Sequence, residues 1–243
     1  MILSAKELDF RELNNRIRGA EEEIRIDDCF GQRFICSGLR GKTLTINGTP
    51  GNALGSYLDG GSITVNGNAQ DAVGDTMNDG KIIIHGNAGD ALGYAMRGGE
   101  IFVKGNAGYR TGIHMKEYTD INDVNKKPVI VIGGSAGSFL GEYLAGGLIV
   151  VLGLGHEDIP VGNFTGTGMH GGNIFIRTAK ELEDLPAQIA EKIASTDDLK
   201  EIERYIAKFA GYFGMDANDI LKDRFYLLQP NAKNPYKQLY TTN

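Results

Sequence analysis

Two cysteines and four histidines are the side chains in this sequence that most often bind metals or act as nucleophiles. Cys29 and Cys36 are seven positions apart and no second pair follows, so they match neither a zinc nor an iron–sulfur ligand set. We expect two buried free thiols rather than a disulfide. No nucleophile stands beside an evident base in the sequence.

The four histidines lie in different sequence contexts. His85 precedes a glycine at a variable position and is expected to be exposed, whereas His114 and His170 lie among glycines and methionines and are expected to be structural. Residues 156–158 spell His-Glu-Asp, a combination that can bind a metal or supply an acid and a base. Because adjacent side chains rarely converge on one point, we expect an exposed loop contact at His156. The sequence thus predicts no catalytic, cofactor-binding or metal-binding residue.

Two glycine-rich segments resemble phosphate-binding loops, but each lacks the required context. Gly41-Lys42-Thr43 matches the end of a Walker A loop, yet Cys36 stands where the first glycine of that motif belongs. Residues 166–171, GTGMHG, match G-x-G-x-x-G, but a strand is predicted after them instead of a helix whose N-terminus would bind a pyrophosphate. We expect no nucleotide site at either segment.

Most glycines belong to a repeat with a period of 19 residues. The chain contains 35 glycines, of which 32 lie within residues 31–177. Three columns of equivalent positions share the period: Gly48, Gly67, Gly86 and Gly105; Gly55, Gly74, Gly93 and Gly112; and Met77, Met96 and Met115. Beyond Met115 the register continues through insertions of ten and six residues, which predicts that the repeat extends to the end of the glycine-rich region.

Each repeat unit carries two apolar residues separated by one position, which predicts a strand with both side chains on one face. The seven pairs are Leu44/Ile46, Ile63/Val65, Ile82/Ile84, Ile101/Val103, Ile130/Ile132, Ile149/Val151 and Ile174/Ile176. A unit this short has no room for the helices of helical repeats or for a propeller blade. The sequence therefore predicts an all-β core, a parallel β-helix of about seven 19-residue coils in which equivalent residues stack about 4.8 Å apart.

The repeated columns have structural interpretations in such a coil. Glycines that directly follow a strand are expected to turn a corner with positive φ, and the column beginning at Gly55 is expected to let backbone approach backbone. A ladder of stacked amides is expected from Asn68, Asn87 and Asn106. One apolar column is expected to fill the interior: Leu58, Met77, Met96, Met115, Leu144 and Met169.

The two ends of the chain differ in composition from its glycine-rich middle. We predict an N-terminal helical cap over residues 1–22, the β-helix over residues 23–178, and a C-terminal helical and aromatic tail over residues 179–243. The tail would pack on the β-helix or on a partner. Such caps cover the apolar faces and unpaired strand edges of the terminal coils.

The predicted caps contain recognisable helix signals. At the N-terminus, two segments fit a capping box, residues 4–7 and 9–12. Ile24 and Ile26 then begin a strand. At the C-terminus, one helix is predicted to start near Pro186 and a second to follow it. Their apolar positions are Leu182, Leu185, Ile189 and Ile193 for the first, and Leu199, Ile202, Ile206 and Phe209 for the second.

The net charge of −6 and the absence of a lysine or arginine run argue against nucleic acid or an anionic membrane as the partner. No basic segment followed by an apolar stretch stands at the N-terminus, and the most apolar segments are too short to span a bilayer. We therefore expect a cytoplasmic protein.

The tandem pattern G-N-A-x-x-x-x-G-x-x-M-x-G-G-x-I-x-V, over about residues 23–178, resembles the GXGXG domain at the C-terminus of the glutamate synthase large subunit. The flanking helices and the NPYKQLY ending resemble the form of this domain that is encoded as a separate subunit. The same superfamily includes one of the subunits of formylmethanofuran dehydrogenase. The resemblance implies a right-handed parallel β-helix that contributes no catalytic residue.

In glutamate synthase this domain lies between the glutaminase and synthase parts and helps to form the path of ammonia. The resemblance therefore implies a non-catalytic structural subunit of a glutamate synthase complex, an oxidoreductase of nitrogen metabolism that makes glutamate from glutamine and 2-oxoglutarate. The expected partners are a glutaminase subunit and a flavin and iron–sulfur synthase subunit. FMN and the iron–sulfur clusters would be bound by these partners, and this chain would bind no cofactor.

Two alternatives remain open: a scaffold like the related formylmethanofuran dehydrogenase subunit, and a β-helix binding module that self-associates. The isolated chain can also form a homo-oligomer through a surface that normally meets a partner. Three segments are predicted as contact surfaces: the insertion at residues 116–127, the loop at His156, and the aromatic tail.

Overall fold

A computed structural model describes residues 1–21, 23–119 and 123–231 of the protein. The strands in chain order are β1 (Ile2–Ser4), β2 (Glu23–Phe30), β3 (Thr43–Thr49), β4 (Asp59–Asn66), β5 (Asp79–Ile84), β6 (Glu100–Val103), β7 (Tyr118–Thr119), β8 (Asn125–Lys126), β9 (Val129–Ile132), β10 (Ala145–Val151), β11 (Gly171–Arg177), β12 (Ile189–Ile193) and β13 (Phe225–Pro230). The helices are α1 (Phe10–Gly19), α2 (Thr196–Phe213) and α3 (Ala217–Leu221).

The described strands form one 11-stranded sheet in the order β1-β2-β3-β4-β5-β6-β9-β10-β11-β13-β12, with β7 and β8 as a separate hairpin. From β1 to β11 every pairing is parallel. The predicted parallel β-helix is confirmed. It has about eight turns, because β2 adds a coil before the seven predicted from the apolar pairs.

The predicted isoleucine column is aligned across the coils. The paired residues, one coil after another, are Leu44, Ile63, Ile82, Ile101, Ile130, Ile149 and Ile174. All of them are buried, as is the predicted interior column from Leu58 to Met169. Both insertions are therefore accommodated outside the stack, since the strands on either side of them keep their register.

Between strands, each coil makes two successive turns. After β4, the N–H of Asp75 donates to the carbonyl of Ala72 at 3.3 Å, and the N–H of Met77 donates to that of Gly74 at 3.1 Å. The third residues of these turns, Gly74 and Thr76, have φ of 68° and 52°. A type II turn requires a positive φ at its third residue. This requirement is one reason why glycine occupies the column that begins at Gly55.

The glycine column beginning at Gly55 has a second reason, which corrects our prediction. A Cβ added at Gly93 would lie 2.4 Å from Cδ1 of Ile130, and one added at Gly112 would lie 2.4 Å from Cδ1 of Ile149. Backbone approaching backbone was the wrong explanation here. The inward isoleucine side chains cross the coil and occupy the space where a side chain at these positions would stand.

The N-terminal helix α1 covers the first coil. Its Leu13 and Ile17 are fully buried, and Asp9 caps it by accepting from the N–H groups of Arg11 and Glu12 at 2.8 and 2.9 Å. The predicted capping box at residues 4–7 was wrong, because Ser4 belongs to strand β1. In β1 the backbone N–H and C=O groups of this segment pair with β2, whereas the first N–H groups of a helix have no backbone partner within the helix.

The second C-terminal helix is confirmed as α2, which packs on the outer face of the sheet. In the covered coils the outward position of the strand is apolar: Ile83, Phe102, Val131, Val150 and Phe175. The same position holds Thr45 and Thr64 in the earlier coils. The outer face is therefore polar at one end of the rod and apolar at the other. None of the helices in the described ranges has the length and hydropathy needed to cross a membrane.

The first C-terminal helix was predicted wrongly. Residues Ile189–Ile193 form strand β12, which pairs antiparallel with β13, and β13 pairs antiparallel with β11. Cδ1 of Ile189 lies 2.9 Å from the position of a Cβ at Gly166, so Ile189 continues the interior isoleucine column. The apolar residues have helical spacing, but the segment forms a strand because β12 and β13 together cover the edge of the last coil, which would otherwise be unpaired.

The Gly93 contact predicts a large loss of stability for Gly93→Ala. The new Cβ would require both a left-handed φ and displacement of the buried Ile130, so we expect the free energy of unfolding to fall by about 2–4 kcal/mol. Gly211→Ala is the matched control, because that glycine lies in α2 with no atom within 4 Å of the new Cβ. The control should gain about 0.5–1 kcal/mol in urea denaturation. A Gly93→Ala protein as stable as the wild type would contradict the contact.

The start of α2 predicts a second measurable effect. The ammonium group of Lys192 donates to the Asp198 carboxylate at 2.8 Å, and Ser195 also donates to it. These hydrogen bonds, that of Lys192 first, lower the pKa of Asp198 to about 2. Asp198 therefore stabilises the fold fully above its ordinary pKa of 3.8, and this contribution is lost as the pH falls towards about 2.

An NMR titration of the carboxyl carbons checks this effect. Lys192→Met should raise the pKa of Asp198, whereas Lys200→Met, which removes the partner of Asp197, should leave it unchanged. If the pKa of Asp198 is the same in the wild type and in Lys192→Met, the hydrogen bond between Lys192 and Asp198 does not form.

Candidate functional site

The predicted amide ladder is confirmed and explains some of the corner glycines. Oδ1 of Asn68 accepts from the N–H of Asn87, and Oδ1 of Asn87 accepts from the N–H of Asn106, both at 2.8 Å. A Cβ at Gly86 or Gly105 would lie 2.3 or 2.2 Å from the asparagine oxygen of the coil before. Positive φ was predicted for this column, but these two glycines do not have it. They are required by the ladder instead.

A second ladder, which we did not predict, runs beside the first. Oδ1 of Asp71 accepts from the N–H of Asp90 at 2.9 Å, and Oδ1 of Asp90 accepts from the N–H of Tyr109 at 2.8 Å. The spacing of 19 residues between Asp71 and Asp90 was the signal that could have revealed it. The carboxylates and amides on this face thus serve the backbone of the next coil.

His156 lies at the top of the amide ladder. Its Nε2 is 3.1 Å from Oδ1 of Asn106, which also accepts from the N–H of Ser135 at 2.8 Å. Because an amide oxygen only accepts, Nε2 carries the proton of this hydrogen bond. The loop at His156 is exposed, as predicted. Asp158 pairs with Lys180 at 2.5 Å, and this contact lowers the pKa of Asp158.

The cavity beside His156 contains several charged groups. It has a volume of about 380 Å³, and its lining includes His156, Arg177, Asp223 and Arg224. Arg177 donates to the carbonyl of Leu152 at 2.8 Å and pairs with Asp223, while Arg224 donates to the carbonyl of Thr178 at 3.3 Å. These guanidinium groups therefore hold the end of β11 against the chain before β13. Within the described ranges, no group of three His, Cys, Asp or Glu side chains is arranged to hold a metal ion.

The other histidines are placed as follows. His85 is exposed, as predicted, and its ring contacts Phe213 of α2 edge-on at 5.2 Å. Nδ1 of His170 is 3.2 Å from the carbonyl oxygen of Gly168. His114 is exposed and stacks on Tyr143, with ring centroids 5.1 Å apart.

The lysine of the Walker-like segment caps a helix. Nζ of Lys42 donates to the carbonyls of Ile17, Arg18 and Ala20 at 2.8, 2.9 and 2.6 Å. These carbonyls lie at the C-terminal end of α1, where a positive charge is stabilising. Residues 166–171 lead into strand β11, as predicted.

Two rows of aromatic and cationic side chains cover one outer face of the later coils. In the first row, Arg110 lies over the ring of Phe139 at 5.0 Å, and Phe139 stacks on Phe164 at 5.0 Å. In the second row, Tyr94 contacts His114 edge-on at 6.1 Å, and His114 stacks on Tyr143. We call these six residues the aromatic face. Sequence reasoning missed it, because Tyr94 stands at a different position of the repeat from the other two members of its row.

Arg110, Phe139 and Phe164 are the first residues of the paired turns, whereas His114 and Tyr143 are the third residues of the second turns. Arg110 and His114 belong to one coil, and Phe139 and Tyr143 to the next. Glu142 lies between the rows and pairs with Arg110 at 3.1 Å. Phe164 is 56% exposed, and Tyr109 beside the face is 55% exposed. The aromatic face is therefore open to a large molecule.

The predicted contact surfaces are attached to the β-helix in different ways, the insertion by ion pairs and the aromatic tail by strand pairing. In the insertion at residues 116–127, Lys126 pairs with Asp79 at 2.9 Å and Lys127 with Glu201 of α2 at 2.5 Å. Residues 120–122 of this insertion lie outside the described residues. The first part of the aromatic tail forms β13, whose residues 225–228 are buried, and residues 232–243 lie outside the described ranges.

The model of the GXGXG motif family matches residues 12–231 of this chain. The chain belongs to the GXGXG family. An uncharacterized protein of Methanocaldococcus jannaschii is 41% identical over 256 residues, which cover 99% of this GXGXG chain and 96% of the relative.

A solved structure also resembles this GXGXG protein. It is a chain of the formyltransferase/hydrolase complex of Methylorubrum extorquens, whose crystal structure is in complex with methylofuran. The TM-score is 0.62 at 24% sequence identity, and the match covers 85% of this chain and 73% of that chain. This similarity shows a shared fold.

The cysteines of this GXGXG protein are buried free thiols, as predicted. Burial raises the pKa of Cys29 to about 11 and raises the pKa of Cys36 as well. Cys36, with φ of 63°, occupies the position that glycine holds in later coils. Neither thiol is suited to nucleophilic chemistry near neutral pH, because the thiolate is the reactive form.

We therefore expect both thiols to react with Ellman's reagent only after unfolding. At pH 8 the native protein should show less than about one-tenth of the thiol signal that appears at once in guanidinium chloride. A Cys29→Ala variant should lose half of the signal in guanidinium chloride. Rapid reaction of one thiol in the native protein would contradict the burial of that side chain.

Proposed function

We propose that this protein is a non-catalytic structural subunit of a multisubunit enzyme complex. The observation that carries the proposal is the fold shared, over 85% of the chain, with a chain of the formyltransferase/hydrolase complex. The residues that first suggested chemistry support it. Lys42 caps a helix, His156 bonds to the amide ladder, and the thiols are buried.

The formylmethanofuran dehydrogenase type of complex is the better-supported setting. The sequence resemblance to a subunit of that enzyme and the fold of the formyltransferase/hydrolase chain point to the same type of assembly. In this setting the chain acts as a scaffold beside catalytic subunits, and the metal and organic cofactors belong to those partners.

A glutamate synthase complex is the second candidate, favoured by the repeated sequence motif and the separate-subunit form that it resembles. There the chain would bridge the glutaminase and synthase parts and help to form the ammonia path. FMN and iron–sulfur clusters would be bound by the partner subunits.

The physical properties of the β-helix suit a scaffold. Parallel backbone pairing and two side-chain ladders join each coil to the next, so the rod presents side chains at fixed positions along its length. A rigid element of this kind can hold two partners at a defined separation without supplying a catalytic group.

Affinity capture of the tagged full-length chain from its native host tests the proposal. We expect stable co-purification of at least one partner enzyme, and metal and flavin analysis of that partner separates the two settings. A molybdenum or tungsten protein, or a formyltransferase/hydrolase, supports the first setting. A flavin and iron–sulfur protein supports glutamate synthase.

The purified chain alone is the complementary measurement. It should release no ammonia from glutamine and should bind no flavin. Turnover by the isolated chain, or a yellow colour in the pure protein, would overturn the proposal of a non-catalytic subunit.

A further inference from the structure

The large side chains of the aromatic face are not needed to build the coil. The position of Arg110, Phe139 and Phe164 is alanine in three earlier coils, Ala53, Ala72 and Ala91, and in the first coil it is Phe34, which packs on Phe10 of α1. The position of His114 and Tyr143 is threonine or alanine in two other coils, Thr76 and Ala95, and tyrosine in a third, Tyr57. The coils with alanine or threonine at these positions make the same paired turns. The repeat therefore shows that the aromatic residues have another role.

These side chains are also held in an unfavourable backbone conformation. Arg110, His114, Phe139, Tyr143 and Phe164 all have φ between 53° and 63°. Left-handed φ costs a residue with a side chain about 1 kcal/mol, and more for bulky residues. Arg110, His114 and Phe164 are exposed and Phe139 and Tyr143 are half-buried. Large side chains at such strained and accessible positions are typical of a binding surface.

Two cations lie at the edge of the second row. Arg97 and Lys116 lie in adjacent coils beside the second row, since the N–H of Lys116 donates to the carbonyl of Met96 at 3.0 Å. Neither makes an ion pair with a described residue. Nε of Arg97 is buried and has no hydrogen-bond partner in the described part of the chain.

Four carboxylates belong to the same region. Oδ1 of Asp90 accepts from the N–H of Tyr109 at 2.8 Å, and Oε1 of Glu117, next to Lys116, accepts from the N–H of Gly147 at 3.3 Å. Glu142 pairs with Arg110, and Asp75, one coil before Tyr94, accepts from the hydroxyl of Thr76 at 2.7 Å. Among the described residues, Arg97 and Lys116 nevertheless form a local pair of cations without an ion pair, in a protein of net charge −6. Carboxylates of a partner complement this local pair of cations, and basic groups do not.

We propose that the aromatic face, with Arg97 and Lys116 at its edge, binds an acidic polypeptide segment of a partner subunit. This inference rests on the proposed scaffolding function and names the surface that carries it. Carboxylates of the segment pair with Arg97 and Lys116, while its apolar side chains pack on Phe139, Phe164 and Tyr143. Aromatic residues and arginine are the side chains that contribute most to such interfaces.

Site-specific photo-cross-linking in the native host tests the proposal. The photoreactive residue p-benzoylphenylalanine replaces Tyr109, which is exposed beside the first row. Mass spectrometry then identifies the peptide that is cross-linked to it. We expect a peptide of another protein with a net negative charge, and less cross-linking as the salt concentration rises.

Face variants measured by affinity capture give the second readout. Phe139→Ala with Phe164→Ala, and separately Arg97→Glu with Lys116→Glu, should each weaken binding of the partner by about tenfold or more. Tyr57→Ala is the control for the aromatic change, because Tyr57 is 55% exposed and has φ of 56° but lies outside the face. Lys6→Glu with Lys104→Glu is the control for the charge change. Melting temperatures of the Phe→Ala variant should stay near the wild type, since alanine fits this position in other coils.

The outcomes separate the two proposals. If the face variants capture the partner as well as the wild type does, the proposed function stands and the assignment of this face is wrong. A cross-link to a second copy of this chain, or to a peptide of net positive charge, also overturns it. If the wild type captures no partner, both proposals fail.

Discussion

The β-helix depends on the contact between an inward isoleucine and a glycine that has no side chain to exclude it. Gly93 lies between β5 and β6, and Ile130 of β9 occupies the space of its absent Cβ. The same arrangement joins Gly112 to Ile149 and Gly141 to Ile174. Because these contacts recur from coil to coil, a change in the length of one coil would misplace the isoleucines of the next. The two insertions are therefore confined to loops that leave the strand register unchanged.

This constraint also separates the functions of the three surfaces. The interior is filled by isoleucine, leucine and methionine, and the corners are occupied by ladders whose oxygens accept from the backbone of the next coil. The outer face of the later strands is covered by α2. What remains for recognition is the surface of the paired turns. One turn position is alanine in three successive coils, whereas arginine and phenylalanine fill it in the three coils that follow.

The residues that usually indicate an enzyme have structural roles in this chain. Lys42 follows a glycine as in a phosphate-binding loop, but the end of α1 brings three carbonyls to its ammonium group. Asn106 and His156 are 50 residues apart in sequence, and they meet because the ladder ends beneath the inserted loop.

The sequence alone determined the parallel β-helix, its period, its interior columns and the amide ladder, because a coil of fixed length repeats the same environment at the same interval. Helix α2 was also predictable, since its apolar spacing matches the face that it buries. Ile189–Ile193 was not, because a strand edge and a helix compete for the same apolar residues, and only the unpaired end of the sheet decided between them.

The aromatic face likewise required the tertiary structure. Its six residues come from four coils and from three positions of the repeat, and no spacing in the sequence relates all of them. Stacking of the coils brings Tyr94 beside His114, and the paired turns direct both rows outwards. Local repetition therefore specified the rod, while contacts between different repeat positions specified the surface that it presents.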